Sequence, residues 1–465
     1  MASREPLRAV DTAWLRMDRT GSTADVVSVL GFARRLPFGE ARRLIEERLL
    51  PLPHYRDHIV GEAEAGTAAW EPDAGFSLSH HLEAVKLPPH PEALRHLVGA
   101  VATEKTDFAH SPWRMWLADT PEGGSALVTK THHCMGDGFA LMSVLLSMAD
   151  EPVAFRVPKQ RAPSFRDVSL VHGLGSLDLA GAVRAVPRAG REAADLARSL
   201  ARMTFLPSDP PTVLKRACTG VRHVGWTAPM PLRALRRAAG ATGATVNDLL
   251  VAAVAGGLRG SLDVVGEAVE KVGVRAMLPV NLRAERPTAT DAGAAGNRFG
   301  LVYLDMPVDI ATPRDRLAAV RERMARLKAS PDALVSYGVL GAMGYLPPAL
   351  HGLASDFFSS KASLVLTNVP GPMKALHLAG RRMGNFVFWV PHPGRLGLGV
   401  SILSYAGEVR IGVRADEAVV IDPADMASRI EAEAAALGVE IAPRPAARRR
   451  RAVEAETGEQ PAQAR

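Results

Sequence analysis

The stretch that decides the fold of this chain is His132-His133-Cys134-Met135-Gly136-Asp137-Gly138. An apolar, β-rich run at residues 126–131 precedes it and an apolar helical pattern at residues 139–148 follows it, which predicts a strand, a turn and a helix. A histidine of near-neutral pKa can take a proton from a hydroxyl that attacks a thioester. An aspartate at a helix start caps backbone N–H groups, and glycine lets the chain turn. The pattern HHxxxDG therefore predicts acyl-transfer chemistry.

Further short motifs follow one another along the chain. They are Pro6-Leu7, Asp11, Trp14-Leu15, Ser111 to Leu117, Thr245 to Asp248, Leu278 to Arg283, Gly296 to Phe299, Thr367 to Pro372 and Ser404 to Gly407. Together with HHxxxDG, their order resembles the bacterial wax ester synthase/diacylglycerol acyltransferase family. That family belongs to the CoA-dependent acyltransferases that share the chloramphenicol-acetyltransferase-like fold. The resemblance covers residues 5 to 440, nearly the whole chain.

Some positions depart from the family pattern without removing an expected catalytic group. Cys134 and Gly136 stand where the family usually has Ala and Val, Ser111-Pro112 replace Pro and Leu, and Asn281 stands where Ser is frequent. These departures bear on substrate preference. We expect Gly136→Val to change acceptor selectivity more than acyl-CoA binding.

With 465 residues the chain exceeds one typical core and predicts two lobes. The resemblance implies an α/β fold of two chloramphenicol-acetyltransferase-like lobes, each a mixed sheet with flanking helices, with an active-site tunnel at their junction. We predict an N-terminal lobe at residues 1–160, a crossover helix and linker at 161–215, a C-terminal lobe at 216–440 and a disordered basic tail at 441–465.

Composition restricts the setting in which the chain works. Hydrophobic residues make up 47% and charged residues 23% of a globular composition, and there is no apolar run of membrane-spanning length and no signal-peptide pattern. Cys134 and Cys218 provide no disulfide framework. We expect a cytoplasmic protein, associated peripherally with the inner membrane face or with lipid inclusions.

The net charge of +7 and the run Arg448 to Arg451 fit either attraction to anionic lipid or a solvated tail. Nucleic acid is not an expected partner.

The resemblance implies roles for the HHxxxDG residues. His133 is the general base, which deprotonates the acceptor hydroxyl during its attack on acyl-CoA and then protonates the leaving thiolate. His132 orients the loop or the neighbouring imidazole. Asp137 holds the turn and pairs with an arginine, either Arg283 or Arg298. Acyl-CoA is a co-substrate, no cofactor is expected, and the residues that bind CoA stay unassigned.

Two other chemistries are weaker interpretations of the same stretch. Cys134 beside the histidines invites a covalent acyl intermediate, but the family carries alanine at its position. Metal binding by His132, His133 and Asp137 is disfavoured because adjacent strand residues point to opposite faces of a sheet. We therefore expect no metal.

Stabilising the oxyanion of the reaction needs a hydrogen-bond donor. Asn247, Asn281 and Asn368 each stand in a family-like motif and could donate, but asparagine also caps turns well. For Asn247 and Asp248 we favour capping and packing. The pair His80-His81 lacks the following aspartate and is interpreted as structural.

Residues 334–353 are almost without charge. They predict a helix pair broken at Pro347-Pro348, either buried or facing an acyl channel or a membrane.

The resemblance therefore predicts an O-acyltransferase. We expect it to move a long-chain fatty acyl group from acyl-CoA to diacylglycerol, to a long-chain alcohol, or to both. The alternatives are a related enzyme for another hydroxyl acceptor and a lipid-binding protein without catalysis. The intact HHxxxDG motif argues against the last, and the oligomeric state is not specified by the sequence.

Overall fold

The computed structural model describes residues 4–19, 21–63, 66–152, 194–283 and 296–441. The strands are β1 (Glu5–Pro6), β2 (Asp25–Phe32), β3 (Asp57–Val60), β4 (Ala69–Pro72), β5 (Leu82–Lys86), β6 (Trp113–Asp119), β7 (Ser125–His132), β8 (Arg222–Trp226), β9 (Met230–Pro231), β10 (Val274–Asn281), β11 (Phe299–Met306), β12 (Leu364–Pro370), β13 (His377–Leu378), β14 (Arg381–Trp389), β15 (Leu398–Tyr405) and β16 (Glu408–Asp416).

The helices, given with their bounds, are α1 (Ala9–Met17), α2 (Phe38–Leu44), α3 (Ala93–Thr103), α4 (Gly138–Met148), α5 (Leu232–Ala241), α6 (Val246–Val264), α7 (Pro313–Lys328), α8 (Asp332–Met343), α9 (Pro348–Ser360) and α10 (Pro423–Ala436). Residues 194–205 are also helical. Short turns of helix lie at Ile45–Leu49, Leu78–His80, His133–Met135, Val213–Lys215, Val269–Lys271 and Glu417–Val419.

One sheet carries the predicted active-site strand. Its order in the described residues is β13-β14-β2-β7-β6-β5. Strand β7 lies inside it, antiparallel to both β2 and β6, and ends where His132 pairs with Asp25. Seven of its eight residues are buried, as expected for a strand that is covered on both faces. The sheet therefore fixes the position of the strand end from which the HHxxxDG loop starts.

A second sheet, of order β11-β10-β12-β15-β16-β8, forms the C-terminal half of the described chain. Its main core packs α6 against α10, where a Cβ at Gly257 would lie 2.5 Å from Ile430 Cγ1. Glycine thus lets the two helices approach closely. The parallel pairs β10–β12 and β12–β15 make this sheet mixed, and the α/β fold of two sheets with flanking helices agrees with the prediction.

Strand β14 departs from the division into lobes made from the sequence. It lies within residues 216–440, yet it pairs antiparallel with β2 of the first sheet. The chain thus returns from the second lobe to complete the first sheet. Burial of its apolar residues from Phe386 to Trp389 accounts for this crossing. A small third sheet of order β1-β4-β3 lies beside the first.

The charge-poor segment at residues 334–353 contains parts of α8 and α9, which are separated near Pro347 as predicted. Leu340 and Met343 of α8 are buried, whereas Leu350 and Leu353 of α9 are exposed. The pair is therefore buried on one side only.

Two predicted segments lie largely outside the described residues: 161–193 of the crossover linker and 442–465 of the tail. Among the described helices none is long and apolar enough to cross a membrane by itself. One pair bent by 92°, α5 with α6, meets the test of length and composition together.

Candidate active site

The HHxxxDG loop is built from the end of β7, one 3-10 turn and the start of α4. His132 N–H donates to Pro112 O at 2.9 Å and His133 N–H donates to Ala24 O at 2.8 Å. Both backbone groups are thereby anchored to neighbouring segments. The strand, turn and helix agree with the prediction.

Asp137 caps α4 and joins the two lobes. Its Oδ1 accepts from the backbone N–H groups of Phe139 and Ala140, each at 3.0 Å. Its Oδ2 accepts from Arg283 Nη1 at 2.7 Å and from the backbone N–H of Arg298 at 3.0 Å. The side-chain partner of Asp137 is therefore Arg283, and Arg298 contributes its main chain. Four donors hold this carboxylate away from a direct role in proton transfer.

His133 is enclosed by aromatic rings. Its imidazole stacks on the indole of Trp14 with a centroid distance of 4.1 Å, and Phe299 meets it edge-on at 5.6 Å. Burial lowers the pKa of His133 to about 4, and the negative charge of Asp137 only partly opposes this shift. The imidazole is consequently neutral near pH 7, the state that a general base requires.

The carbonyl group of His133 is tied to the first helix of the chain. Asn297 Nδ2 donates both to His133 O at 2.8 Å and to Asp11 Oδ1 at 2.7 Å. Burial raises the pKa of Asp11 to about 6, and the bond from Asn297 opposes that rise. Asp11 and Asn297 thus position the histidine loop from two other elements.

His132 faces away from this arrangement. Its Nδ1 accepts from the Cys134 backbone N–H at 3.2 Å, which leaves the proton on Nε2, and Nε2 lies 3.4 Å from Asp18 Oδ2. Asp18, Asp25 and His132 bring ligand atoms within 4.8 Å of one another. However, Lys130 Nζ lies 3.3 Å from Asp25 Oδ2 and already supplies a positive charge. A cation would have to displace it, so the geometry gives no reason to assign a metal.

Cys134 is almost fully buried, and burial raises the pKa of its thiol. Because the thiolate is the nucleophile, this environment disfavours the covalent alternative.

The three candidate asparagines lie in two different places. Asn281 Oδ1 accepts from the Arg283 backbone N–H at 3.1 Å and from Arg283 Nη1 at 3.4 Å, so it shapes the arginine that holds Asp137. Asn368 Nδ2 donates to Asn247 Oδ1 at 2.8 Å, which ties two motif loops together. No hydrogen bond between described residues joins that pair to the histidine loop.

Asp248 caps α6, as expected. It accepts from Thr245 N–H at 3.0 Å and donates its own N–H to Thr245 Oγ1 at 3.1 Å, a reciprocal capping arrangement.

An apolar cavity of about 90 Å³ adjoins the loop. Its wall is formed by the first sheet and α4. Lining residues from both lobes include Leu30, Leu127, Gly138, Leu145, Val369 and Phe386. Gly138 lies where a Cβ would come within 3.1 Å of Val369 Cγ2. The cavity is suited to hydrocarbon rather than to a charged group.

His81 is structural, in agreement with the sequence interpretation. Its ring stacks on Trp113 at 4.5 Å, its Nδ1 lies 2.7 Å from Trp113 O, and burial lowers its pKa. It lines a separate, polar cavity of about 270 Å³ together with His80 and His110.

Gly136 has a conformational role that the sequence comparison did not reveal. Its φ is +155°, and a Cβ at this position would lie 2.7 Å from the Cβ of Ala140. Valine there would strain the helix start itself. In place of a change in acceptor selectivity that exceeds the change in acyl-CoA binding, the structure leads us to expect a loss of stability in Gly136→Val.

Sequence reasoning did not assign site roles to Trp14, Asp11, Asn297 or Phe299. All four stand in motifs that were noted for their order, which was the available signal. Their convergence on His133 depends on contacts across more than one hundred residues, which no local pattern reveals.

Comparison with known proteins gives a consistent result. The family model for the wax ester synthase/diacylglycerol acyltransferase catalytic domain matches residues 7–250, and the model for the WS/DGAT C-terminal domain matches residues 295–437. A Mycobacterium tuberculosis protein named probable diacylglycerol O-acyltransferase is 27% identical over 425 residues, covering 88% of this chain and 89% of its own.

Solved structures support the same fold. The wax ester synthase/diacylglycerol acyltransferase from Marinobacter aquaeolei VT8 has a TM-score of 0.66 at 21% identity, covering 93% of this chain and 98% of its own. The first condensation domain of the CDA synthetase has a TM-score of 0.58 at 15% identity, covering 95% and 99%.

Proposed function

The chain belongs to the wax ester synthase/diacylglycerol acyltransferase family, and we propose that it transfers a long-chain fatty acyl group from acyl-CoA to the hydroxyl of diacylglycerol or of a long-chain alcohol. The observation that carries this proposal is His133. It is a buried, neutral imidazole that is anchored from both lobes and lies on a loop beside an apolar cavity. Diacylglycerol is favoured as the acceptor because the matched mycobacterial relative is named for that activity.

The reaction follows from the properties of that imidazole. Nδ1 of this imidazole is buried and makes no hydrogen bond to a described residue, and we assign the role of base to Nε2. Nε2 takes the hydroxyl proton while the acceptor oxygen attacks the thioester carbon. The C–S bond then breaks, and the proton passes from Nε2 to the departing thiolate. The products are an ester and free CoA.

The other loop residues keep this imidazole in place during the reaction. Asp137 fixes the start of α4, and the guanidinium of Arg283 neutralises the charge of the Asp137 carboxylate. Because Asp137 is bound by four donors, it acts by positioning and does not itself carry the proton. The apolar cavity beside Gly138 provides a place for an acyl chain.

The test is turnover with defined substrates. Purified protein is mixed with palmitoyl-CoA and either dipalmitoylglycerol or hexadecanol, thiol release is followed, and the lipids are separated by chromatography. We expect thiol release to exceed that of a blank without acceptor, and we expect chromatography to show triacylglycerol, wax ester or both. Absence of both products from folded protein would overturn the proposed function.

Peripheral attachment to a membrane or lipid inclusion is part of the proposal. Leu350, Leu353 and Phe357 lie at i, i+3 and i+7 of α9 and are 52%, 67% and 44% exposed. This spacing places them on one face of the helix, and Tyr345 is exposed just before it. Such a face suits insertion into the boundary of a lipid layer.

This part is tested by flotation with vesicles of phosphatidylglycerol and phosphatidylcholine. We expect the wild type to float and the double variant Leu350→Glu/Leu353→Glu to remain in solution. The control is Val264→Glu, because Val264 is 66% exposed at the end of a different helix. Equal flotation of all three proteins would refute the role of α9.

A further inference from the structure

We infer that the indole N–H of Trp14 donates a hydrogen bond to a carbonyl oxygen of the bound substrates, an inference that rests on the proposed acyl transfer at His133. Trp14 is only 3% exposed, and its Nε1 has no hydrogen-bond partner among the described residues. Burying a donor without an acceptor is unfavourable, and such groups are rare in folded proteins. The donor is therefore available to a ligand.

The position of this donor points to the reaction centre. The indole lies on the His133 imidazole, with ring centroids 4.1 Å apart and planes inclined by 22°. During transfer the acceptor oxygen must be within hydrogen-bond reach of the imidazole and close to the attacked carbonyl carbon. Carbonyl groups of the substrates therefore come into the neighbourhood of the stacked rings.

Two other buried indoles of this chain do find acceptors. Trp113 Nε1 donates to Tyr55 O at 3.0 Å, and Trp389 Nε1 donates to Gly225 O at 3.1 Å. The unpaired donor at Trp14 is thus not a general property of how this chain buries tryptophan. It occurs on the residue that contacts the proposed base.

Two carbonyl groups could accept from Trp14, and they are chemically alike. One is the thioester carbonyl, whose oxygen gains negative charge as the hydroxyl attacks and is stabilised by a donor. The other is an ester carbonyl of diacylglycerol, which a long-chain alcohol lacks. Comparing diacylglycerol with a long-chain alcohol as substrate shows which of the two carbonyl groups accepts the hydrogen bond.

The kinetic test uses Trp14→Phe, which retains an aromatic ring and removes the N–H group. Loss of one neutral donor should lower kcat/KM by roughly 10- to 100-fold. A loss with both acceptors assigns the donor to the thioester, and a loss with diacylglycerol alone assigns it to the acceptor ester. Unchanged kcat/KM with both acceptors would overturn the inference. Trp389→Phe is the matched control, for which we expect lower stability and unchanged kcat/KM of the folded fraction.

A binding measurement keeps the inference testable even if turnover fails. The chain has six tryptophans, so its indole ¹H–¹⁵N spectrum has six signals, and the one absent from Trp14→Phe is that of Trp14. We expect this signal to move downfield with palmitoyl-CoA or dioctanoylglycerol and to stay in place with dodecanol. No movement with either carbonyl ligand, under conditions in which it is shown to bind, would refute the donor role. Failure of the proposed function would instead appear as missing turnover in the wild type.

Discussion

Arg283 donates to Asp137 at 2.7 Å across the junction of the two lobes, and both side chains are almost completely buried. The arginine lies two residues after the end of β10, and the aspartate caps α4 directly after the histidine loop. This ion pair therefore couples the packing of the second lobe to the position of the proposed base.

Removing Arg283 should destabilise the protein strongly. In Arg283→Ala the carboxylate of Asp137 stays buried without its guanidinium partner, which costs about 3–5 kcal/mol of unfolding free energy. We also expect transfer activity to be lost. Arg326→Ala is the control, since its pair with Glu322 is exposed and should contribute less than about 1 kcal/mol. Urea unfolding monitored by circular dichroism measures both, and equal values would contradict the account.

The dependence of activity on pH should reflect the buried imidazole. Only neutral His133 can act as the base, so kcat/KM should rise as pH increases through about 4, the pKa that burial gives this residue. In the folded protein the pKa of His133 is below the ordinary value of 6.5. The contribution of neutral His133 to the free energy of unfolding is thus complete above pH 6.5 and is lost as pH falls through about 4.

A profile of kcat/KM between pH 4 and 8, restricted to conditions in which the protein is folded, tests this expectation. A shallower inflection near 6 should come from Asp11, whose pKa burial raises to about 6, and Asp11→Asn should abolish it. A main midpoint at 6.5 would show that His133 is solvated during the reaction.

Asn297 should matter for rate more than for substrate binding. In Asn297→Ala both the carbonyl of His133 and the carboxylate of Asp11 lose their donor. Small displacements of a catalytic group are costly, so we expect kcat to fall about 10- to 100-fold with KM little changed. Asn385→Ala, at an exposed position on β14, serves as the control. Loss confined to KM would indicate a substrate contact instead.

Gly136→Val should lower stability and reduce activity with every acceptor. The side chain would meet Ala140 at the start of α4 in a backbone conformation that favours glycine. A cost of about 1–3 kcal/mol is expected for such crowding. Gly240→Ala is the matched control, because a Cβ there meets nothing within 4 Å and alanine favours a helix by up to about 1 kcal/mol. Thermal denaturation distinguishes the two, and an intact melting temperature for Gly136→Val would refute the steric argument.

The sequence predicted the local part of the site well. The strand, turn and helix around His133 and the capping by Asp248 follow from short-range patterns, and the α/β fold of two lobes was what the family resemblance implied. The sequence also left Arg283 and Arg298 as alternatives for Asp137. The structure resolves them, because one contributes its side chain and the other its main chain.

The parts that could not be predicted depend on distant contacts. Trp14 reaches His133 from the first helix, and Asn297 reaches it from the second lobe. Strand β14 joins the first sheet although its neighbours in sequence belong to the second. Periodicity records which face of an element is buried, but it does not record against which element that face packs.

The central claim is direct transfer with His133 as the base. It is tested most directly by steady-state turnover of His133→Gln beside Cys134→Ala, with the melting temperature of each variant recorded. The account predicts a fall of about 10²- to 10⁴-fold for His133→Gln and activity near that of the wild type for Cys134→Ala. Retained activity in folded His133→Gln, or loss of activity in folded Cys134→Ala together with an acylated wild-type enzyme, would contradict it.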